Sequence, residues 1–193
     1  MRKAVFVACD PSGTLERHIE EVQRAFAQVP ATETLVLTDR TRRLTTGAVL
    51  ADLADADLIH FAGHAVQTPG DPDKTGLVLS DGLLSVTAIE QAFARHGPEL
   101  VILSACESGR STNQPADAPS LATAFLQAGA RAVIGSVWRV PDDVAAETAQ
   151  GIYRRLATSN AISALNDTRR ELARTPGYTY DQFWASFKAF GWG

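Results

Sequence analysis

The chain has few cysteines, no long apolar run and no surplus of basic charge, and each shortage narrows what it can be. Among its 193 residues only Cys9 and Cys106 carry thiols. Two thiols make neither a disulfide framework nor a zinc site. Lysine and arginine number 18 against 22 aspartates and glutamates, a net charge of −4. A nucleic-acid binder usually shows a basic domain or stripe, so direct nucleic-acid binding is not expected. No apolar stretch approaches the length of a membrane span. The start, MRKAVFVACDPSG, has an apolar patch only from Ala4 to Cys9, too short for a signal peptide. The expectation is a cytoplasmic protein without a membrane partner, in a reducing setting where a single cysteine is reactive or buried rather than bridged. No glycine-rich phosphate loop follows the first apolar run, which disfavours a nucleotide or phosphate enzyme. No internal repeat, linker or low-complexity tract divides the sequence, so residues 1–193 are expected to form one domain.

What is present is an alternation of short apolar runs and amphipathic stretches. Ala4–Cys9 is apolar and ends at Asp10-Pro11-Ser12-Gly13, a turn signal. Leu15, Ile19, Val22, Phe26 and Val29 recur at three- and four-residue steps and predict a helix closed by Pro30. A strand is expected over Glu33–Leu37, a helix capped by Thr45 or Thr46, and a third strand over Leu58–Ala62 that runs into Gly63-His64. Asp81-Gly82 between two apolar runs predicts a small antiparallel ribbon. Ser85 is placed to cap the next helix. Leu100-Val101-Ile102-Leu103 is apolar without alternation, the pattern of a parallel strand buried on both faces. A helix over Ser120–Ala128, a strand over Ala132–Val137, two further helices and an aromatic segment close the chain. Strands alternating with helices predict an α/β fold with a mostly parallel sheet between two helical layers.

Two of those strands deliver reactive side chains at their carboxyl ends, where open α/β sheets place their sites. LIHFAG is followed by His64, and LVILSA by Cys106. If the strands are neighbours, the two side chains leave the same edge. A histidine beside a cysteine can hold a thiolate–imidazolium pair and later protonate a leaving amine. The backbone N–H groups of Cys106 and Ala65 lie at the same edge and could receive an oxyanion. The bland alternative is a buried thiol and a structural histidine. His60 and His64 are four apart, but on a strand-to-loop segment they do not share a face, so no metal site is expected. His60 reads as a packing residue or a partner of the backbone, and His18 and His96 as exposed helical residues.

Six stretches then carry a family resemblance: His60–His64 (HFAGH), Gly76–Gly82 (GLVLSDG), Leu84–Ile89 (LSVTAI), Leu103–Gly109 (LSACESG), Ala124–Ala130 (AFLQAGA) and Ser136–Asp142 (SVWRVPD). In this order they resemble the motifs of CHAT domains, caspase-like cysteine peptidases akin to separase, gingipain and the metacaspases. The similarity runs from about Ala8 to Gly191. It implies a caspase-like three-layer α/β/α sandwich with a mostly parallel central sheet. It also implies a catalytic dyad of His64 and Cys106, no cofactor, a protein substrate, and a regulatory or activating protein in trans, as in bacterial defence or signalling. Relatives that cleave after basic residues carry acidic groups in the pocket, for which Asp10 and Asp142 are candidates, with Trp138 as a candidate wall. Asp142 also suits a helix N-terminus. The family usually has glycine where Ala65 stands, and a glycine-rich stretch where Pro115–Pro119 stands. Two function classes follow: an endopeptidase, or a catalytically silent interaction module with the same fold. A redox pair of Cys9 and Cys106 is a weaker third.

Overall fold

The computed structural model describes residues 1–93, 97–105, 108 and 120–192. Its elements, in chain order, are β1 (Lys3–Cys9), α1 (His18–Phe26), β2 (Glu33–Thr38), α2 (Thr46–Leu53), β3 (Leu58–Gly63), β4 (Ala65–Val66), β5 (Gly76–Leu79), β6 (Gly82–Ser85) and α3 (Val86–Ala92). After these come β7 (Leu100–Ala105), α4 (Leu121–Gln127), β8 (Ala132–Ser136), α5 (Asp142–Leu156), α6 (Ala161–Leu172), α7 (Asp181–Trp184) and β9 (Phe187–Gly191). The main sheet has six strands in the order β2-β1-β3-β7-β8-β9. Every pairing is parallel except β8 with β9. The hairpin β5–β6, with β4 added to it, forms a separate three-stranded antiparallel ribbon.

Side-chain alternation along the strands sends each buried residue to one of two cores. Val5, Val7, Ile59, Phe61, Val101 and Leu103 pack under α2, α3 and α4 with Val49, Leu53, Ile89 and Phe125. Phe6, Ala8, Leu58, Ile102 and Ile134 pack under α1, α5 and α6 with Val22, Ile152 and Leu165. Burying both faces explains why the strand sequences read as continuous apolar runs. The result is the three-layer α/β/α arrangement anticipated from the element order.

Four local expectations change. α1 begins at His18 rather than Leu15, because the Leu15 N–H is taken by the Asp10 carboxylate at 2.6 Å and residues 10–15 form a tight turn. His18 is buried rather than exposed, with Nε2 3.8 Å from Asp39 Oδ1. His60 bonds a carboxylate, not the backbone: its Nε2 meets Glu21 Oε1 at 2.9 Å. The closing aromatic segment supplies an unanticipated strand, β9, whose Phe187 pairs with Ser136. Ser85 does cap α3, accepting from Ala88 N–H, and Ser120, expected inside its helix, caps α4, accepting from Thr123 N–H; Thr45 stands at the N-cap of α2 without a side-chain cap hydrogen bond. His96, expected with His18 to be an exposed helical residue, lies outside the described residues.

Candidate active site

The carboxyl edge of the sheet is set by register. Cys9 pairs with Gly63, and Gly63 with Ala105, so β1, β3 and β7 end level. Asp10, His64 and Cys106 are the next residues along those three strands. Cys106 itself lies outside the described residues, as do most residues of the loop after it. Gly63 is required where it stands. A Cβ there would come within 2.3 Å of the Cys9 carbonyl oxygen and 2.9 Å of the Phe61 ring. The strand therefore reaches the edge next to His64 with no side chain in the way.

His64 is partly exposed and is held from one side. Its Nε2 lies 3.0 Å from Asp10 Oδ1, 3.1 Å from Ser12 Oγ and 3.1 Å from Thr14 Oγ1. Asp10 is buried beneath it and fully occupied. Oδ1 accepts from the Ser12 hydroxyl at 2.5 Å and the Ser12 N–H at 3.1 Å, and Oδ2 accepts from the Leu15 N–H. Burial works against a charge on Asp10, but the Leu15 N–H, the Ser12 hydroxyl and His64 outweigh it and hold its carboxyl down at about 2. An ionised carboxylate only accepts, so Nε2 carries the proton and donates it to Asp10. Nδ1 has no hydrogen bond to a described residue and is the nitrogen available for chemistry. This is the arrangement of a base held in one tautomer by an orienting acid.

Ala65 opens β4. The Val78 N–H donates to the His64 carbonyl at 2.9 Å, which makes Ala65 and Leu77 a non-hydrogen-bonded pair of the ribbon. The ladder thus leaves the Ala65 N–H unused. Because Ala65 sits in extended backbone, no glycine is needed there.

Beside the ends of β3, β7 and β8 lies a narrow cleft of about 20 Å³, lined by Gly63, Ser104, Ala105, Ser136, Asp142 and Phe187. That volume holds about one water molecule. Asp142 is the first residue of α5, and its Oδ2 accepts from the Arg17 N–H, so it faces the cleft while also tying the turn before α1. Trp138 stands farther out, 37% exposed, with Nε1 donating to the Gln182 carbonyl at 2.9 Å. With Arg139, Pro141, Gln182 and Phe183 it lines a second, open cavity of about 510 Å³. Asp10 and Asp142 are therefore at one edge but in different company, Asp10 under His64 and Asp142 in the cleft.

Several residues of the site carry no sequence signal of their own. Ser12 and Thr14 read only as turn residues. Ser108 and Ser136 stitch β7 to β8: Ser136 Oγ donates to the Ala105 carbonyl at 2.7 Å, and Ser136 N–H donates to Ser108 Oγ at 3.2 Å. On the face of β3 and β7 covered by α1 and α5, behind the cleft, Glu21 Oε1 accepts from both His60 Nε2 and the Ser104 hydroxyl. All three are buried, and the His60 ring stacks on Tyr153 at 5.6 Å. Cys9 does not take part. Burial first, and then the charge of Asp39, push its thiol up to about 11.

A parallel-sheet sandwich with an acid-oriented histidine at its carboxyl edge, beside a strand leading to a cysteine, defines a caspase-like peptidase scaffold. A family model described as CHAT domain matches residues 4–192, and the chain belongs to the CHAT domain family. Solved structures agree on the fold. The separase of Saccharomyces cerevisiae, in its complex with securin, superposes with a TM-score of 0.69 at 13% identity, over 99% of this chain and 12% of that one. RgpB of Porphyromonas gingivalis, in a complex of its pro- and mature domains, gives 0.70 at 15% identity, over 98% of this chain and 47% of that one. The Arg-specific cysteine proteinase gingipain R gives 0.69 at 14% identity. The chain thus spans under half the length of these proteins. A comparison with curated protein sequences gives no match. Among the described residues no helix is long and apolar enough to cross a membrane, and no cluster of metal-ligating side chains occurs.

Proposed function

We propose that this protein is a cysteine endopeptidase in which Cys106 is the nucleophile and His64 moves the proton. The observation that carries this is the Asp10–His64 pair at the end of β3, next to the strand that leads to Cys106. Asp10 serves as the orienting acid beneath His64 rather than as a pocket residue, because both of its oxygens are already engaged. The Cys106 thiol gives its proton to Nδ1 of His64, and the sulfur attacks the substrate carbonyl carbon. The carbonyl oxygen takes the negative charge and is received by the N–H groups of Ala65 and Cys106. As the C–N bond breaks, the imidazolium returns the proton to the leaving amine, giving a thioester. Water, deprotonated by His64, then attacks the thioester and releases the acid and the thiol.

Asp142 is the acid that supports recognition of a basic side chain before the scissile bond, because it lines the cleft at the ends of β3, β7 and β8. The likeness to an Arg-specific proteinase at the level of fold is in keeping with that choice. A lysine or arginine side chain is far larger than the cleft. We therefore infer that engagement of a protein partner or of the substrate widens it, in line with activation in trans within a bacterial defence or signalling system.

The test is covalent labelling. The protein is incubated with acyloxymethyl-ketone peptides bearing Arg, Lys, Leu, Met or Asp next to the warhead, alone and with the products of neighbouring genes. Intact mass and peptide mapping locate the adduct. Modification of Cys106 by the Arg or Lys peptides, lost in His64→Ala, is the expected result. Absence of any adduct under all these conditions refutes the peptidase and leaves a silent interaction module of the same fold.

A further inference from the structure

On the flank of the molecule formed by α6 and α7, an open cavity of about 500 Å³ is lined by Asn166, Arg169, Arg170, Ala173, Arg174 and Trp184. Three guanidinium groups gather here in a chain whose net charge is −4. The nearby acids do not neutralise them all. Asp167 pairs with Arg170 at 2.7 Å. Glu171 is taken by Arg154 and Arg155, at 3.3 and 2.5 Å, on the other side of the helix pair. Arg169 and Arg174 have no acidic partner among the described residues. Arg169 is held in place: its Cζ lies 5.6 Å from the Trp184 ring centroid, and its buried Nε–H has no acceptor among the described residues. An ordered guanidinium with an unsatisfied donor, at the wall of a cavity, is half of a charge-assisted hydrogen bond.

We propose that this arginine pocket is a docking site for an acidic peptide segment of a protein partner. The cations are distributed over the last turn of α6 and the turn that follows it, a spread that suits carboxylates on successive residues of a chain better than one compact anion. One face of the Trp184 ring is already covered by Arg169 and is not free to stack a nucleotide base. The pocket also communicates with the candidate active edge. Gln182 and Phe183, the two residues before Trp184 in α7, line the cavity next to Trp138, and the Gln182 carbonyl holds the Trp138 indole. A segment seated against Trp184 would press on the element that positions Trp138. Docking itself does not depend on the dyad being active.

The probe is a fluorescein-labelled decapeptide of alternating Glu and Ser, with a Gln-Ser peptide as the neutral control, followed by fluorescence anisotropy at low salt. Arg174→Glu reverses an exposed charge without touching the core. Arg131→Glu, just before β8 at the other end of the sheet, is the charge-matched control. The expected result is binding of the acidic peptide only, weakened about 10-fold or more by Arg174→Glu and by Arg169→Ala, and less than about 2-fold by Arg131→Glu. Trp184→Phe should remove most of the change in tryptophan emission on binding. Equal weakening by Arg174→Glu and Arg131→Glu, or no binding of the acidic peptide, overturns the assignment. So does displacement of the bound peptide by ATP or tripolyphosphate at concentrations well below that of unlabelled acidic peptide needed for the same displacement. Circular dichroism of Arg169→Ala separates a lost contact from a lost fold, and Arg174→Glu stands even if that variant unfolds.

Discussion

Asp10 and His64 are 54 residues apart in sequence and meet Oδ1 to Nε2 at 3.0 Å, the carboxylate buried and the imidazole partly open to solvent. The pair fixes which nitrogen of the ring faces outward. Both residues leave the sheet at the same level because β1 and β3 are adjacent and in register up to Cys9 and Gly63.

Replacing the acid separates orientation from attack. Asp10→Asn should slow modification of Cys106 by the preferred ketone peptide by about 100-fold to 10,000-fold, the range of a general base's contribution, with the upper end that of a triad histidine losing its carboxylate. A loss of less than threefold would show that Ser12 and Thr14 suffice to hold the ring.

The same carboxylate makes stability depend on pH in a stated window. Its pKa is lower in the folded protein, about 2, than the 3.8 of a free side chain. Its contribution is therefore complete above about pH 4 and is lost as pH falls towards 2, an amount of about 2 kcal/mol. Urea denaturation between pH 5 and pH 2 should fall more steeply for the parent than for Asp10→Asn, and parallel curves would contradict the assignment.

The two thiols should differ. Cys9 is wholly buried with its pKa pushed up to about 11. In a Cys106→Ala background, maleimide at pH 7.5 should add nothing to the native protein and one adduct after denaturation. Rapid native labelling of Cys9 would mean that the end of β1 opens readily.

Glu21 ties α1 to the undersides of β3 and β7 through His60 and Ser104. Removing one side of a buried pair strands the other, so Glu21→Ala should cost about 3–5 kcal/mol in thermal or denaturant unfolding. Glu21→Gln, which keeps an acceptor oxygen, should lose less. A near-neutral alanine variant would show that the network is dispensable for folding.

Ala65→Gly should leave the rate of Cys106 modification within about threefold, because Ala65 already sits in extended backbone with its N–H unused by the ribbon. A large gain in rate would indicate that catalysis needs a backbone conformation that alanine resists.

Much of this was legible from local pattern. The apolar runs marked β1, β3, β7 and β8, since strands buried on both faces leave no alternation to misread. His64 stood out because a reactive residue followed such a run. The partners of His64 did not stand out, because Ser12 and Thr14 look like any turn residues until β1 and β3 lie side by side. Glu21 carries no sequence signal, since nothing local says that a strand carrying His60 and Ser104 passes beneath it. β9 was missed for a similar reason. Phe187-Lys188-Ala189-Phe190-Gly191 is short and mixed, and it becomes a strand only by pairing with β8, far back in the chain.

That late strand bears on how the protein is made. β9 is synthesised after every other strand of the sheet, yet among the described residues it is what covers the outer edge of β8, a run of Ala132–Ser136 buried along its whole length in the finished fold. Until residues 187–191 emerge, a flat apolar strand edge stands open, and such edges template self-association. Truncation or proteolysis that removes Phe187–Gly191 should therefore yield aggregating material, not a trimmed but working domain.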